Sequence, residues 1–493
     1  MRQLFNYILL LTGVALVSGC SKFLETAPDM RAEVDSPEKV SELLTSAYPR
    51  ASYIPFLESM SDNAGDKGAA AGSAVYINSD PWMFLEVRDR NVDSPDFYWY
   101  ACYSAIAASN RALAIIENAT DKEAYRAQKG EALVARAYTH FMLVTLYARV
   151  YNPITSQTDP GIPYVTEPEE TVLKKYERHT VQYVYDNIEK DLIEGLALLD
   201  DSKYKVPKYH FTTTAAHAFA ARFYLFKRSY DKVILHASAV FPASNEVQML
   251  RPTNEIAYRS MEYFSKQSDY TMATNSANLL LAEVPSLWGR NFASYRYGLS
   301  QNLLAELLYG GNPTGGQYAY MIYGGTELVY NMPKFKEHFV RTDINANYGI
   351  PYNVVPLFTA EEVLLNRAEA YAKLGEFDKG IKDLNSFASK KVFVSDDHPA
   401  YYPELHTITG SKLSRFYNTT SLEEGIVSAV LGFKRIEFLF EGLRYLDIIR
   451  HGLPVKHISN DGSHTYLLGP NDPRRILQLP QEVVLQGMEQ NPR

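Results

Sequence analysis

A short pattern of alanine and aromatic residues occurs twice in the chain, and it constrains the fold more than any other feature. Residues 220–224 read Ala-Ala-Arg-Phe-Tyr and are followed by Tyr230, while residues 368–371 read Ala-Glu-Ala-Tyr and are followed by Phe377. Alanine allows two helices to approach closely, and the aromatic rings then wedge the pair against its neighbour. The pattern predicts tetratricopeptide-like helix pairs, although two unrelated helical hairpins would give the same spacing.

The rest of the chain divides into two kinds of sequence. Helical patterns dominate residues 36–240 and 359–451, whereas residues 242–356 carry many prolines, several Gly-Gly pairs and many tyrosines. Proline and paired glycines interrupt helices and favour loops and short strands. We therefore predict a mainly α fold, a superhelix of about four helix pairs that carries an irregular, loop-rich insertion at about 242–356.

The N-terminus has the features of a secretory signal. Arg2 precedes an almost wholly apolar run over residues 7–17, which has about the length of a signal-peptide core and is too short for a permanent membrane-spanning helix. Residues 16–20 read Leu-Val-Ser-Gly-Cys, and small residues before a cysteine resemble a lipobox. This predicts a cleaved signal peptide at residues 1–19 and a lipid anchor on Cys20. The alternatives are an ordinary secretory signal with a chance cysteine, or a short anchor.

Cysteine content and charge argue against several classes of protein. Cys20 and Cys102 are the only two cysteines, so lipidation of Cys20 leaves no pair for an intramolecular disulfide. Cys102 falls on an apolar helical stripe with Trp99 and Ile106, and we expect it to be buried. The formal net charge is −8 and no basic run is present, which argues against nucleic-acid binding.

No catalytic or metal-binding motif is visible in the sequence. The chain lacks His-Glu-x-x-His, Gly-x-Ser-x-Gly and a phosphate-binding glycine loop. The histidines are scattered, and the dense polar cluster Asp396-Asp397-His398 lies in a predicted loop. We therefore expect a protein without catalytic activity, metal or cofactor. A glycosidase whose two carboxylates lie far apart in sequence stays open as an alternative.

Two predicted loops combine aromatic and polar residues in the way that a carbohydrate site requires. Aromatic rings match the flat C–H faces of sugars, whereas amide, carboxylate and guanidinium groups match their hydroxyls. One loop carries residues 61–66 with Tyr76, Asn78 and Trp82, and the other carries residues 288–291 with Tyr295, Arg296 and Tyr297. The candidate ligand contacts chosen from these loops are Trp82, Trp288, Tyr295, Tyr297, Asp62, Asn63 and Arg290. Either tryptophan could instead fill the core beneath its loop.

Several blocks of sequence, in order along the chain, resemble the SusD/RagB family. They comprise the residues after the lipidation site, four helix signatures and the end of the chain. The blocks are residues 20–25, 100–111, 130–141, 361–371, 435–450 and 479–492. Two departures are present. Residues 433–435 read Phe-Lys-Arg, where the family often has an acidic residue followed by two arginines, and only Glu25 is acidic just after Cys20, where exported members often have an acidic cluster.

The resemblance implies that residues 20–493 form one SusD-like domain of an outer-membrane lipoprotein that faces outward and binds a nutrient without catalysis. It also implies a SusC-like TonB-dependent outer-membrane transporter as partner, over which the protein would sit like a lid. Oligosaccharide is the expected ligand, and oligopeptide is the alternative, as for RagB-type members. A purely structural lipoprotein whose repeats only dock proteins is a further alternative.

Overall fold

The computed structural model describes residues 34–493 except 73, 169–174, 243–244, 326–328, 342, 344–345 and 394–400. The predicted signal peptide, the predicted lipid anchor on Cys20 and the Asp396-Asp397-His398 cluster lie outside this part of the chain. None of the helices in this described part of the chain combines the length and the hydropathy of a membrane-spanning segment. The boundaries of the signal peptide and of the insertion stay predictions.

Helices dominate the architecture, which confirms the predicted mainly α, tetratricopeptide-like fold. In chain order the helices are α1 (Pro37–Leu44), α2 (Ile54–Met60), α3 (Tyr76–Trp82), α4 (Pro95–Asn118), α5 (Arg126–Tyr147), α6 (Val181–Leu196), α7 (Thr213–Lys227), α8 (Tyr230–Val240), α9 (Glu246–Met249), α10 (Ile256–Arg259), α11 (Tyr263–Tyr270), α12 (Trp288–Asn291), α13 (Gln301–Leu308), α14 (Ala360–Lys373), α15 (Phe377–Lys391), α16 (Pro403–His406), α17 (Gly410–Tyr417), α18 (Leu422–Glu437), α19 (Leu443–His451) and α20 (Gln481–Leu485).

Local side-chain caps determine where several of these helices begin. The hydroxyl of Ser94 accepts a hydrogen bond from the backbone N–H of Phe97 at the start of α4, and Thr212 does the same for Ala215 at the start of α7. Such caps satisfy backbone donors that have no partner within the helix. Pro95 occupies the first position of α4, where a missing N–H removes no helical hydrogen bond.

The two helix pairs that carry the alanine–aromatic pattern are neighbours in the structure. α7 packs on α8, α14 packs on α15, and α8 also packs on α14. Ala220 and Ala221 of the first copy and Ala368 and Ala370 of the second are all fully buried. The small side chains therefore lie at the contacts between helices, as the sequence pattern predicts.

The segment between the repeats contains strands and also short helices. The strands of the molecule are β1 (Gly65–Asp66), β2 (Asn278–Pro285), β3 (Tyr297–Gly298), β4 (Gln317–Tyr318), β5 (Tyr323–Gly324), β6 (Tyr330–Asn331), β7 (Lys336–Arg341), β8 (Gly349–Thr359), β9 (Val392–Phe393), β10 (Val455–Ile458) and β11 (Thr465–Leu468). β2, β8 and β7 form an antiparallel sheet in that order, with Val284 opposite Asn353 and Phe339 opposite Pro351. The short helices α9 to α13 have four to eight residues, too few for a helical period to stand out among the prolines and glycines.

One continuous apolar core runs through the helix pairs and the sheet, and a second, much smaller cluster lies apart from it. Cys102 on α4 belongs to the main core and is fully buried, as predicted. The small cluster consists of Ala64, Trp82 and Tyr297. Since two of its members are candidate ligand contacts, this cluster leads directly to the loops that surround it.

Candidate ligand-binding site

Loops from three distant parts of the chain meet in one region, which we call the loop junction. It comprises residues 61–72, 76–88, 286–298 and 455–468. β1 pairs with β3, so that Gly65 lies opposite Gly298 and Asp66 lies opposite Tyr297, and β1 also contacts β10. The two loops that the sequence analysis treated as separate clusters are therefore brought together in space, with the β10–β11 hairpin as a third component.

Asn78 on α3 connects the first two parts of the loop junction. Its Nδ2 donates to the backbone oxygen of Tyr297 at 2.7 Å, and its Oδ1 accepts from the backbone N–H of the same residue at 3.1 Å. Close backbone contact also explains Gly72, because a Cβ there would lie 2.1 Å from the backbone oxygen of Ser294. The two loops are held together mainly through backbone groups.

Trp82 lies beneath the loop junction and is only 1% exposed. Its Nε1 donates to the backbone oxygen of Ala64 at 2.8 Å, and its ring stacks on Tyr297 and His457 with centroid distances of 4.3 and 4.9 Å. The ring is thus occupied by protein contacts, which favours the alternative that Trp82 fills the core. Contact of Trp82 or the buried Tyr297 with ligand stays a prediction.

Trp288 and Tyr295 form a second buried pair, with ring centroids 6.0 Å apart. The Nε1 of Trp288 donates to the backbone oxygen of Phe440 at 2.9 Å. Asp93 orients the turn before Trp288, because its carboxylate accepts hydrogen bonds from the Ser286 hydroxyl and from the backbone N–H of Leu287. Burial raises the pKa of Asp93 to about 6. For this pair, too, contact with ligand stays a prediction.

Asp62 and Asn63 make framework contacts. Asp62 accepts two hydrogen bonds from the guanidinium of Arg444, both at 2.8 Å, and Asn63 is 1% exposed and accepts from Nε of Arg435. Although burial of Asp62 opposes its ionisation, the hydrogen bonds and charge of Arg444 hold the pKa of Asp62 below its usual value. Both candidates therefore bond to arginines of α18 and α19 and connect these helices to the loop junction.

Glu58 on α2 bonds to the turn between α18 and α19. Its carboxylate accepts hydrogen bonds from the backbone N–H groups of Phe440 at 2.8 Å and Gly442 at 2.9 Å. Phe440 has a φ of +72°, which a non-glycine residue adopts only when its surroundings enforce it. Burial raises the pKa of Glu58 to about 7, against the effect of these hydrogen bonds.

Arg290 is the most exposed of the candidate contacts, with 45% of its side chain accessible. Its Nε donates to Glu337 on β7 at 2.5 Å, and its guanidinium lies 5.5 Å from the ring centroid of the partly exposed Phe339. The side chain is therefore available to a ligand at the edge of the loop junction.

Among the tyrosine, tryptophan and phenylalanine rings of the loop junction, that of Tyr76 is the most accessible, with 53% of the residue exposed. The guanidinium of Arg88 lies 3.9 Å from the centroid of this ring. Arg88 is held there by Asp80, which accepts from Nε at 3.0 Å and from Nη2 at 2.7 Å and whose side chain is fully buried. A cation over one face of a tyrosine fixes the ring, while the exposed part stays free for contact.

A second guanidinium is fixed in the same manner. Arg296 donates to Asp66 from Nε at 2.7 Å and from Nη2 at 2.8 Å. Asp66 also accepts from the backbone N–H groups of Gly68 and Asn460, which connects the β10–β11 hairpin to β1. The side chain of Arg296 keeps 26% of its surface exposed. It therefore presents a pre-positioned hydrogen-bond donor to solvent.

Sequence reasoning missed three contributors to this region: Arg88, His457 and Tyr466. Arg88 is twelve residues from the ring that it covers, at no regular spacing, so no sequence signal identifies it. The hairpin gave no clear signal, because Val455-Lys456-His457-Ile458 does not alternate apolar and polar residues, although the structure buries Val455 and His457. Tyr466 lies edge-on to Trp82, with centroids 5.4 Å apart.

The described residues contain no group of three or more His, Cys, Asp or Glu side chains placed to hold a metal ion. What the loop junction offers is a fixed, exposed aromatic ring and two anchored guanidinium groups. Such a combination suits a ligand with apolar faces and many hydroxyls.

Residues 22–225 match the model of a SusD-like family described as starch-binding and associating with the outer membrane. Solved structures give a similar result over nearly the whole chain. A putative sugar binding protein from Bacteroides vulgatus has a TM-score of 0.69 at 21% identity, covering 93% of this chain and 99% of that chain. A SusD superfamily protein from Bacteroides thetaiotaomicron has a TM-score of 0.63 at 18% identity, covering 93% and 100%.

A laminarin binding SusD-like protein also matches, with a TM-score of 0.62 at 17% identity, covering 93% of this chain and 99% of that chain. At such identities the structural likeness establishes the fold. No curated protein sequence matches the chain. The family match and the fold together confirm the predicted resemblance.

Proposed function

We propose that this SusD-like protein is a lipid-anchored nutrient-binding protein that captures an oligosaccharide at the accessible face of the loop junction and delivers it to a TonB-dependent outer-membrane transporter. The observation that carries the binding role is the Tyr76 ring, fixed by Arg88 at 3.9 Å and still 53% exposed. A ring held in place by the protein loses little conformational freedom when a sugar stacks on it.

The neighbouring polar groups suit the same ligand. The Arg296 side chain stays 26% exposed after its two bonds to Asp66. Arg290 keeps nearly half of its side chain accessible. Guanidinium groups donate to hydroxyl oxygens at the rim of a stacked sugar, so orientation comes from these residues and contact area from the ring.

Two observations support binding without catalysis. The matched family is described as starch-binding. Three carboxylates of the loop junction, Asp62, Asp66 and Asp80, are each paired with arginine. A glycosidase needs one carboxyl group that is available to protonate the leaving oxygen and a second that acts as base or nucleophile.

The proposed location rests on Cys20 and on the family description, which associates the family with the outer membrane. Several acyl chains anchor a protein stably where one chain would be marginal. A Cys20→Ser variant should appear in the soluble fraction. Sedimentation of that variant with outer membranes after a salt wash would contradict the anchor, and failure of the wild type to co-purify with a β-barrel transporter would contradict the delivery role.

A glycan array tests the binding role. The purified protein without its first 20 residues should bind at least one class of oligosaccharide and leave it chemically unchanged. Binding confined to an oligopeptide panel would support the RagB-type alternative, and binding to neither panel would support a structural role. Release of shortened sugars from a bound oligosaccharide would contradict the absence of catalysis.

A further inference from the structure

An aromatic cavity lies away from the loop junction. It has a volume of about 660 Å³, within the range of about 300–1,000 Å³ that is typical of small-molecule sites. We call it the tyrosine groove and define it by the residues that form its aromatic and apolar lining: Trp99, Tyr100, Tyr103, Tyr176, Val483 and Met488. It shares no lining residue with the loop junction.

α4 supplies one wall of the groove because its aromatic residues follow the helical period. Trp99 and Tyr103 are one turn apart, and their ring centroids lie 4.9 Å from each other. Ser104 and Ala107 lie on the same wall and are exposed, and their small side chains leave open space beside the tyrosine rings.

The tyrosine rings are held in position by their hydroxyl groups. The Tyr103 hydroxyl donates to the backbone oxygen of Pro163 at 3.0 Å, and the Tyr100 hydroxyl donates to Glu482 on α20 at 3.2 Å. Tyr100 nevertheless keeps 43% of its surface exposed. Rings that are fixed at the hydroxyl and open along the side can stack on a ligand without first losing rotational freedom.

The rim of the groove is polar and carries both signs of charge. Glu167, Lys175, Glu177 and Gln486 line it and are exposed. Carboxylate, ammonium and amide groups around an aromatic floor match a ligand that has apolar faces and a periphery of neutral hydroxyls. A purely apolar partner would cover these polar groups without offering them hydrogen bonds.

We propose that the tyrosine groove is a second oligosaccharide-binding site, independent of the loop junction, in which Tyr100 is the stacking ring. The choice of ligand class rests on the proposed function of the loop junction. The chain would then bind two short oligosaccharides at once, or a longer glycan at two points.

Calorimetric titration with laminarihexaose and maltohexaose tests this proposal. Wild type should bind two molecules per chain, and Tyr76→Ala, which removes the exposed ring of the loop junction, should leave the second site intact. Tyr100→Ala should weaken that second site about two- to tenfold, the loss expected for one stacking ring. Tyr100→Phe keeps the ring and should keep the site, whereas Tyr183→Ala, an exposed tyrosine on α6, is the control.

The outcomes separate the two sites. If Tyr76→Ala abolishes all binding and Tyr100→Ala binds like wild type, the groove is not a sugar site and the proposed function still stands. If Tyr100→Ala loses binding that Tyr76→Ala retains, the groove is supported. If wild type binds neither these hexasaccharides nor any sugar on the array, both proposals fail together. If a peptide binds at the groove in a Tyr100-dependent manner and no saccharide competes with it, the groove is not an oligosaccharide site.

Discussion

The helix pairs and the loop junction differ in how often a side chain bonds to the backbone. Between helices, the strong contacts join one side chain to another. The buried pairs include Arg136 with Asp191, Arg222 with Glu362, Arg367 with Asp383 and Arg450 with Glu369. The loop junction also has arginine–carboxylate pairs, such as Asp66 with Arg296, but many of its contacts join a side chain to a backbone group. They include Trp82 to Ala64, Asn78 to Tyr297 and Trp288 to Phe440, and Glu58 on α2 bonds in the same way to Phe440 and Gly442.

The difference follows from how each region satisfies its backbone. A helix pairs its own N–H and C=O groups internally, so only side chains remain to join two helices. Irregular loops lack this regular internal pairing, so their buried backbone groups need nearby side chains as hydrogen-bond partners. Long polar or aromatic side chains in these loops therefore serve as partners for the loop backbone, which is why the four aromatic candidates are buried while Tyr76 stays exposed.

Breaking a buried ion pair should have the largest effect and should act on the whole fold. Arg222→Ala leaves the buried carboxylate of Glu362 without its two hydrogen bonds at 2.6 and 2.5 Å. We expect unfolding free energy to fall by about 3–5 kcal/mol in chemical denaturation. Lys39→Ala, which breaks an exposed pair with Asp35, is the control and should change the unfolding free energy far less. Equal effects of the two variants would contradict the role given to the buried pair.

The carboxylate of Glu58, which accepts a hydrogen bond from Asn63 of the loop junction, should make the stability of the protein sensitive to pH. Because the pKa of Glu58 is raised from 4.5 to about 7 in the folded protein, the folded state binds its proton more tightly than the unfolded state does. The contribution of Glu58 to stability is then fully present below pH 4.5 and is lost as the pH rises through 7, by at most about 3 kcal/mol.

Comparison with a neutral variant isolates this effect from all other titrating groups. Between pH 4.5 and 7, wild type should lose stability relative to Glu58→Gln, since the amide does not ionise. A difference between the two proteins that stays constant over this pH range, or that changes in the opposite direction, would show that Glu58 is not a buried acid with a raised pKa.

Trp82→Phe should give a smaller and more local effect. Phenylalanine keeps an aromatic ring among Tyr297 and His457 but cannot donate to the backbone oxygen of Ala64. Leaving that buried acceptor without a partner should cost about 1–3 kcal/mol. Hydrogen exchange should then accelerate in β1 and β3 and stay unchanged in α7 and α14. Uniform acceleration through the helix pairs would contradict the separation of the two regions.

The helix pairs and the loop junction also differ in how well the sequence predicted them. The alanine–aromatic copies predicted the helix pairs, because helix packing repeats a local pattern that is visible in a single segment. The sequence also identified the two loops that form most of the loop junction. It could not assign Trp82 and Trp288, since a tryptophan that stacks on sugar and one that donates to a buried carbonyl have the same local sequence context.

The rest of the site depends on contacts between distant segments. The guanidinium of Arg88 reaches Tyr76 only because Asp80 anchors it, and the hairpin that contains His457 joins the loops from nearly 400 residues away. No periodic pattern in the sequence indicates such contacts between distant residues. The exposed members of the loops, Tyr76 and Arg296, were present in the predicted clusters, but only the structure distinguishes them from their buried neighbours.

Binding by Tyr76→Ala is the most direct test that the exposed face of the loop junction is the ligand site. In calorimetric titration with the best oligosaccharide from the array, this variant should bind about two- to tenfold more weakly at one site than wild type, because one stacking ring is lost. Tyr183→Ala, which removes a tyrosine of similar exposure from α6, should bind like wild type. Unchanged affinity of a folded Tyr76→Ala, or equal weakening of both variants, would contradict the account.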